Sequence, residues 1–487
     1  MREKKLLVKA TRVANIILGG AGVICLLALF YFIYHYSLTG ERQFTSPVGM
    51  IVYYVVPALL AGLSLTSLRL GHSHKINLSL FVVTSGISIY ALELFLTPPN
   101  MSDEDKLAAY TKERQKLAKQ FGSTVDARSR LEVIDDFRRQ GIEAYPALYP
   151  RVLLKKEADG SLKSMITIGG AEVLPLGGIS SKVTVLCNEN GDYAIYEADE
   201  HGFNNPKGLW NDGHVDIAAV GDSFTHGYCV SPDKNFVALI RKRYAATLNL
   251  GAAANGPLLM LATIKEYVRH IEPKIVLWFY YEGNDLEDLM QSRGSPLLMR
   301  YMEADFDQGL PSRQSAIDVA LVTHVKEVKR APELANTSRV SELGAMMRLK
   351  HLRQGLGLIY GRSQEDIDTV NERAKSKDRT GSREPDLNLF RNILVEAREI
   401  VSRWGGKLCF IYLPEWQRYT TSGTGNKDRD RVLLLVRETG VPVIDIHKAF
   451  MAHGDPLALF PFRQYGHYNE GGNRLVAEEA LRFISAR

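Results

Sequence analysis

Four short motifs place side chains where a nucleophilic site can be assembled. VDIAAVGDSFTHG sets Ser223 directly after an apolar run, in a turn marked by Gly221 and Gly227. A hydroxyl beyond the carboxyl end of a buried strand is a nucleophile if a base reaches it. Alone, Gly-Asp-Ser is equally a simple turn and helix cap. LNLGAAANG supplies small residues that let main-chain N–H groups approach a ligand, and LWFYYEGNDLED ends another apolar run in Gly283-Asn284-Asp285. A side-chain amide there is a neutral donor suited to an oxyanion. FPFRQYGHYNEGGNRLVAEEAL puts His467 just ahead of a terminal amphipathic segment. A lone histidine is more often structural; as the last member of an ordered set it is a candidate base. His226 stands too close in sequence to Ser223 to point back at it readily. His72 and His74 have no further ligands beside them, so neither a metal site nor a cofactor is expected.

The elements that carry these motifs alternate. VDIAAV, LNLG, KIVLWFYY, KLCFIYL and VPVIDI read as strands, with NFVALIRKRYAATL and PLLMLATIKEYVRHI as amphipathic helices between them. Strand–helix alternation implies an α/β fold with a parallel sheet covered on both faces. Roughly 120 residues separate Asn284 from Leu408, far more than one crossover needs, so a helical insertion is expected over about 291–395. Residues 151–215 read as short strands joined by the turns KEADGSL and NENGDY. HGFNNPKGLW (201–210) reads as a connecting loop, with the substrate entrance as the other reading.

The first hundred residues have another character. No Asp, Glu, Lys or Arg lies between Arg12 and Glu41 or between Arg42 and Arg69, and INLSLFVVTSGISIYALELFL forms a third apolar stretch. Three transmembrane helices are expected over 1–100, followed by a helical stalk over 101–150 and a catalytic domain over 151–487. Basic residues cluster at the N-terminus (Arg2, Lys4, Lys5, Lys9, Arg12) and in the second loop (Arg69, Lys75). With three spans this places everything after the anchor outside the cytoplasm of a multi-pass inner-membrane protein. There Cys187 and Cys229, in or beside turns, are a candidate disulfide, while Cys409 reads as a buried thiol. The charge balance, 60 Lys+Arg against 55 Asp+Glu, gives no basic excess for nucleic-acid binding.

The ordered set VGDS, NLG…NG, EGND and GHYN…G…VAEEAL resembles the SGNH (GDSL-like) hydrolases, in particular membrane-anchored bacterial members, over about 215–290 and 405–487. The resemblance implies a flavodoxin-like sheet. It makes Ser223 the nucleophile and an oxyanion donor through its own N–H, Asn284 the side-chain oxyanion donor, and His467 the general base. The family usually has a glycine at the position of Ala254, where a main-chain N–H completes the oxyanion hole. It usually has an aspartate two or three residues before the histidine; here those positions are Tyr465 and Gln464. With no acid there, a Ser–His dyad is expected, with Asp445, Gln464 or Tyr465 orienting the ring. The implied activity is that of an esterase or O-acyltransferase acting on ester groups, chiefly O-acetyl, of cell-surface glycans. Its partners would be the bilayer, the glycan or acyl ester, and a membrane acyl-donor protein for transfer. The alternative is a decayed SGNH domain that binds glycan or scaffolds an envelope polysaccharide assembly complex.

Overall fold

The computed structural model describes residues 2–34, 51–96, 112, 114–211, 213–334, 349, 352, 386–420 and 428–486. They fall into two compact units, one built on the apolar N-terminal helices and one on the sheet.

The sheet unit is organised around five parallel strands: β1 (Ile217–Val220), β2 (Thr247–Asn249), β3 (Ile275–Tyr281), β4 (Lys407–Leu413) and β5 (Val443–Asp445). Their spatial order is β5-β4-β3-β1-β2. This is the doubly wound 2-1-3-4-5 arrangement, whose direction of winding reverses between β1 and β3. Alternate residues feed opposite faces, as the two-residue strand period requires. Ala218, Val220, Trp278, Tyr280, Phe410 and Tyr412 pack with the helices Pro257–Thr263 and Leu387–Arg403. Ile217, Ala219, Leu277, Phe279, Cys409 and Ile411 pack with the helices Phe236–Arg241 and Glu470–Ser485. Both faces are buried, so the strands read as unbroken apolar runs. Leu387–Arg403 buries Phe390, Ile393 and Leu394 against the sheet. The start of this helix therefore belongs to the crossover and not to the insertion expected to reach 395. Of the insertion, Gln314–Leu334 is helical; most of 335–385 lies outside the described residues.

A second, three-stranded sheet joins Ala144–Pro146, Val183–Val185 and Ile195–Glu197, the first pair parallel and the second antiparallel. The last two strands form a hairpin, extended by Leu186 N–H donating to the Ala194 carbonyl and Ala194 N–H to that of Cys187. NENGDY is its tip. Residues 114–150, expected as a stalk, are built into this unit. The segment 114–120 is helical with Ala118 fully buried. Arg130–Arg139 starts with a capping box between Ser129 and Glu132 and buries Val133 and Ile134.

The described residues of the N-terminal unit hold three apolar helices. Two described helices are long and apolar enough to cross a membrane, Lys4–Phe32 and His72–Phe95. The middle segment is a shorter apolar helix, Ile51–Ser67, opening with the π-helical turn Ile51–Val55. The end of the first expected span and the start of the second, within residues 35–50, lie outside the described residues. The long helices leave large apolar side chains uncovered, among them Ile16, Phe30, Phe81 and Phe95.

Cys187, at the base of the hairpin tip, is bonded to Cys229, 42 residues on and shortly after Ser223. Cys409 is in no disulfide and is buried within β4. Digestion without reductant is expected to yield one Cys187–Cys229 cross-linked peptide pair, with Cys409 alkylated only after denaturation. Alkylation of Cys187 or Cys229 in the native, unreduced protein contradicts this pairing.

Candidate active site

Ser223 opens a single helical turn, Ser223–His226, immediately beyond β1. Asp222 caps it, its carboxylate accepting the Phe224 N–H at 2.9 Å. The turn lies at the β1/β3 crossing, where α/β sheets open a crevice. Beyond β3, Asn284 stands in front of the helix Asp285–Ser292, and its Nδ2 donates to Asp288 at 2.9 Å. This fixes the amide plane; the second Nδ2 hydrogen is left for another acceptor. Ahead of Asn284, buried Glu282 joins the ends of β3 and β4: Tyr412 Oη, the Glu415 N–H and Arg418 all donate to its carboxylate. Removing one partner of such a buried ion pair typically costs ~3–5 kcal/mol, so the turn before Asn284 is stiffly anchored. Beyond β2, Ala254 takes a left-handed φ of +55°. That conformation costs an L-residue ~1–2 kcal/mol, and it is the reason a glycine is usual at such a position.

His467 reaches the serine. It precedes the helix Glu470–Ser485, whose N-cap Asn469 accepts from the Gly472 N–H at 3.1 Å. Its Nε2 is 2.8 Å from Ser223 Oγ. Its Nδ1 is 3.0 Å from Oε1 of Glu189, and its main-chain N–H donates to Oε2 of the same carboxylate at 2.7 Å. The carboxylate sits on the bare backbone of Gly466, where a Cβ would lie 2.7 Å from Glu189 Oε2. Phe224 and Tyr228 flank the imidazole, with ring centroids 4.7 and 5.1 Å away.

The expected orienting residues are elsewhere. Asp445 accepts the His447 N–H at the start of its own helix and pairs with Arg429. Gln464 is exposed. Tyr465 packs edge-on against Trp416. The acid against His467 is Glu189, at the tip of the auxiliary hairpin, so the two-residue arrangement expected from sequence is a three-residue one. NENGDY carries turn chemistry and was legible only as a turn. The available signal was the bracketing of both sites by cysteine: Glu189 follows Cys187 by two residues, and Ser223 precedes Cys229 by six.

The electrostatics fit the geometry. Burial pushes the Glu189 carboxyl upward, but His467 beside it outweighs burial and holds it at about 2. Burial lowers His467, and Glu189 more than reverses this, leaving the imidazole above its ordinary value. Glu189, Cys229 and His467 offer ligand atoms within 4.8 Å of one another. The Cys229 sulfur is committed to Cys187, however, which leaves a carboxylate–imidazole pair. His226 faces away, its Nε2 2.9 Å from Tyr196 Oη, and burial drives it down to about 4. It is thus a neutral structural residue. The 201–210 loop is a clamp. Asp199 collects the His201 and Phe203 N–H groups, Asn205 and Trp210, and Asn205 in turn bonds Asn249 of β2.

A buried serine, a neutral imidazole at 2.8 Å and a carboxylate behind it can transfer the hydroxyl proton and stabilise the imidazolium that forms. Because the base must be neutral and its pKa is raised, kcat/KM for a short acyl ester is expected to fall on acidification, with a midpoint above the ordinary ~6.5 of histidine. Glu189 stays ionised throughout that window and adds no second step. A pH profile whose acid limb lies below the ordinary histidine value contradicts the assigned contact.

No protein-family model and no curated protein sequence matches the chain. Among solved structures, a protein assigned to the G-D-S-L lipolytic family from Desulfitobacterium hafniense is 13% identical; the match covers 55% of this chain and 99% of that one, with a TM-score of 0.29. A lipolytic G-D-S-L family member from Veillonella parvula is also 13% identical, over 56% of this chain and 98% of that one, with a TM-score of 0.29. A two-domain esterase active on acetylated mannans is 11% identical, over 57% of this chain and 52% of that one, with a TM-score of 0.28. What this chain can do is therefore read from its own side chains. Its parallel 2-1-3-4-5 sheet, with Ser223 after β1, Asn284 after β3 and His467 before the last helix, is the flavodoxin-like arrangement that the resemblance to the SGNH hydrolases implied.

Proposed function

We propose that this protein is a membrane-anchored serine esterase or O-acyltransferase that acts outside the cytoplasm on ester groups of cell-surface glycans. The observation that carries the chemistry is the hydrogen-bonded line Ser223–His467–Glu189. In this reading Ser223 attacks the ester carbonyl as His467 takes its proton, and Glu189 holds the ring and balances the imidazolium. The oxyanion is held by the N–H groups of Ser223 and Ala254 and by Asn284, which Asp288 orients. The alcohol leaves with the proton from His467. Water, or an acceptor hydroxyl in the transferase case, then releases the acyl group.

Compartment and substrate rest on other observations. The Cys187–Cys229 disulfide favours an oxidising, extracytoplasmic site, independently of the number of spans. The uncovered apolar surface of Lys4–Phe32 and His72–Phe95 favours a lipid anchor. A glycan O-acyl group follows from the resemblance of the motifs to membrane-anchored SGNH proteins, by analogy; a membrane acyl-donor protein is the partner that transfer would require. The non-catalytic alternative drew on the want of an acid beside His467, and Glu189 removes that ground.

A fluorophosphonate probe is expected to label the full-length protein on Ser223, with labelling lost in Ser223→Ala and His467→Ala. The wild type, and neither variant, is expected to release acetate from O-acetylated polysaccharide. A wild-type chain that is folded yet inert to the probe contradicts the esterase reading. Labelling without acetate release contradicts only the choice of substrate.

A further inference from the structure

Glu189 comes from a hairpin tip, outside the central sheet that positions Ser223 and Asn284. Its placement depends on what grips that tip. On one side is Cys229, through the disulfide and through Asn190 Nδ2, which donates to the Cys229 carbonyl at 2.7 Å. On the other side is the segment that follows the apolar N-terminal region. Asn188 Nδ2 donates to the Asp126 carbonyl at 2.8 Å, and the Asp126 N–H donates to the Gly191 carbonyl at 2.7 Å. Gly191 has φ +116°, and a Cβ there would lie 2.5 Å from the Thr124 carbonyl oxygen, so tip and segment meet backbone to backbone. Arg114, in the helical stretch 114–120 and only 7% exposed, donates from its guanidinium to the carbonyl of Glu189 itself.

We infer that Arg114 is a positioning residue for the reaction, locking the backbone of the catalytic acid to the helical stretch 114–120 of the same unit. This inference rests on the Ser223–His467–Glu189 reading above. The contact is charge-assisted and buried, the class of hydrogen bond that holds a geometry most firmly. It also places a cation near the carboxylate–imidazole pair, and this distinguishes positioning from mere scaffolding. Glu189 and Asp222 favour protonated His467, and Arg114 opposes them. Tyr228 and Phe224 also face the ring, and His226 lies close enough to feel its charge. Asp222, which burial pushes up to about 6, also interacts with His467 and is present in wild type and variants alike.

The test is the pH profile of kcat and kcat/KM for p-nitrophenyl acetate with full-length wild type, Arg114→Met and Arg114→Lys in detergent micelles, alongside thermal unfolding. Arg114→Met is expected to lower kcat about tenfold or more, the scale of losing ~1.4 kcal/mol of orientation. It is also expected to move the acid limb to higher pH, because the cation that opposed protonation of His467 is gone. Arg114→Lys keeps the charge and loses the guanidinium fork, so the limb is expected at the wild-type position with kcat still reduced. An acid limb unmoved in folded Arg114→Met, with or without a loss of rate, overturns the inference and leaves Arg114 a structural tie. If Arg114→Met does not fold, Arg114→Lys decides, and a displaced limb or full kcat in it overturns the inference. A wild type that neither turns over the ester nor reacts with fluorophosphonate fails the underlying triad, which is a different result from either.

Discussion

The contact between the Glu189 carboxylate and His467, made across 278 residues of sequence, is the constraint on which the site depends. Both carboxylate oxygens are used, one on the ring nitrogen and one on the main-chain N–H of the same residue, so ring and backbone are fixed together. Glu189 is buried, and an ionised carboxylate in that place is tolerable only because it is paired. The surrounding features serve this pairing: bare Gly466 beneath the carboxylate, the hairpin that delivers it, and the disulfide that ties the hairpin to the turn after the nucleophile.

Two bodies of structure thus meet at one proton-transfer line. The doubly wound sheet supplies Ser223, Asn284 and His467 from strand ends and a helix start, places where a rigid core determines position. The auxiliary hairpin supplies the acid, and disulfide, amide and guanidinium contacts make up for the missing sheet support. Residues 114–126, which by composition look like a spacer, are part of this second body. A chain trimmed to the sheet motifs alone would therefore keep Ser223 and His467 and lose the support of Glu189.

How much of this could be read in advance follows from where each residue sits. The five strands were legible because both sheet faces are covered, which makes each strand an apolar run ending in a short, distinctive motif. Ser223 and Asn284 were legible for the same reason, and His467 from its place just ahead of the terminal amphipathic helix. Glu189 was not, because NENGDY has the composition of any hairpin turn and nothing local distinguishes a carboxylate that will be buried from one that will be solvated. Asp445 ends a strand as a reactive group should, but its carboxylate caps the next helix and pairs with Arg429. The two long apolar helices, Lys4–Phe32 and His72–Phe95, were legible because each is a stretch of spanning length nearly free of charge.

The most direct measurement is the turnover of a short acyl ester by Glu189→Gln, which is nearly isosteric and removes only the charge. If Glu189 orients His467 and stabilises its charged form, kcat is expected to fall by ~10³–10⁴-fold, the scale on which neutralising a triad acid acts, while Asp445→Asn stays close to wild type. Undiminished turnover in Glu189→Gln, or a comparable collapse in Asp445→Asn, would contradict the account.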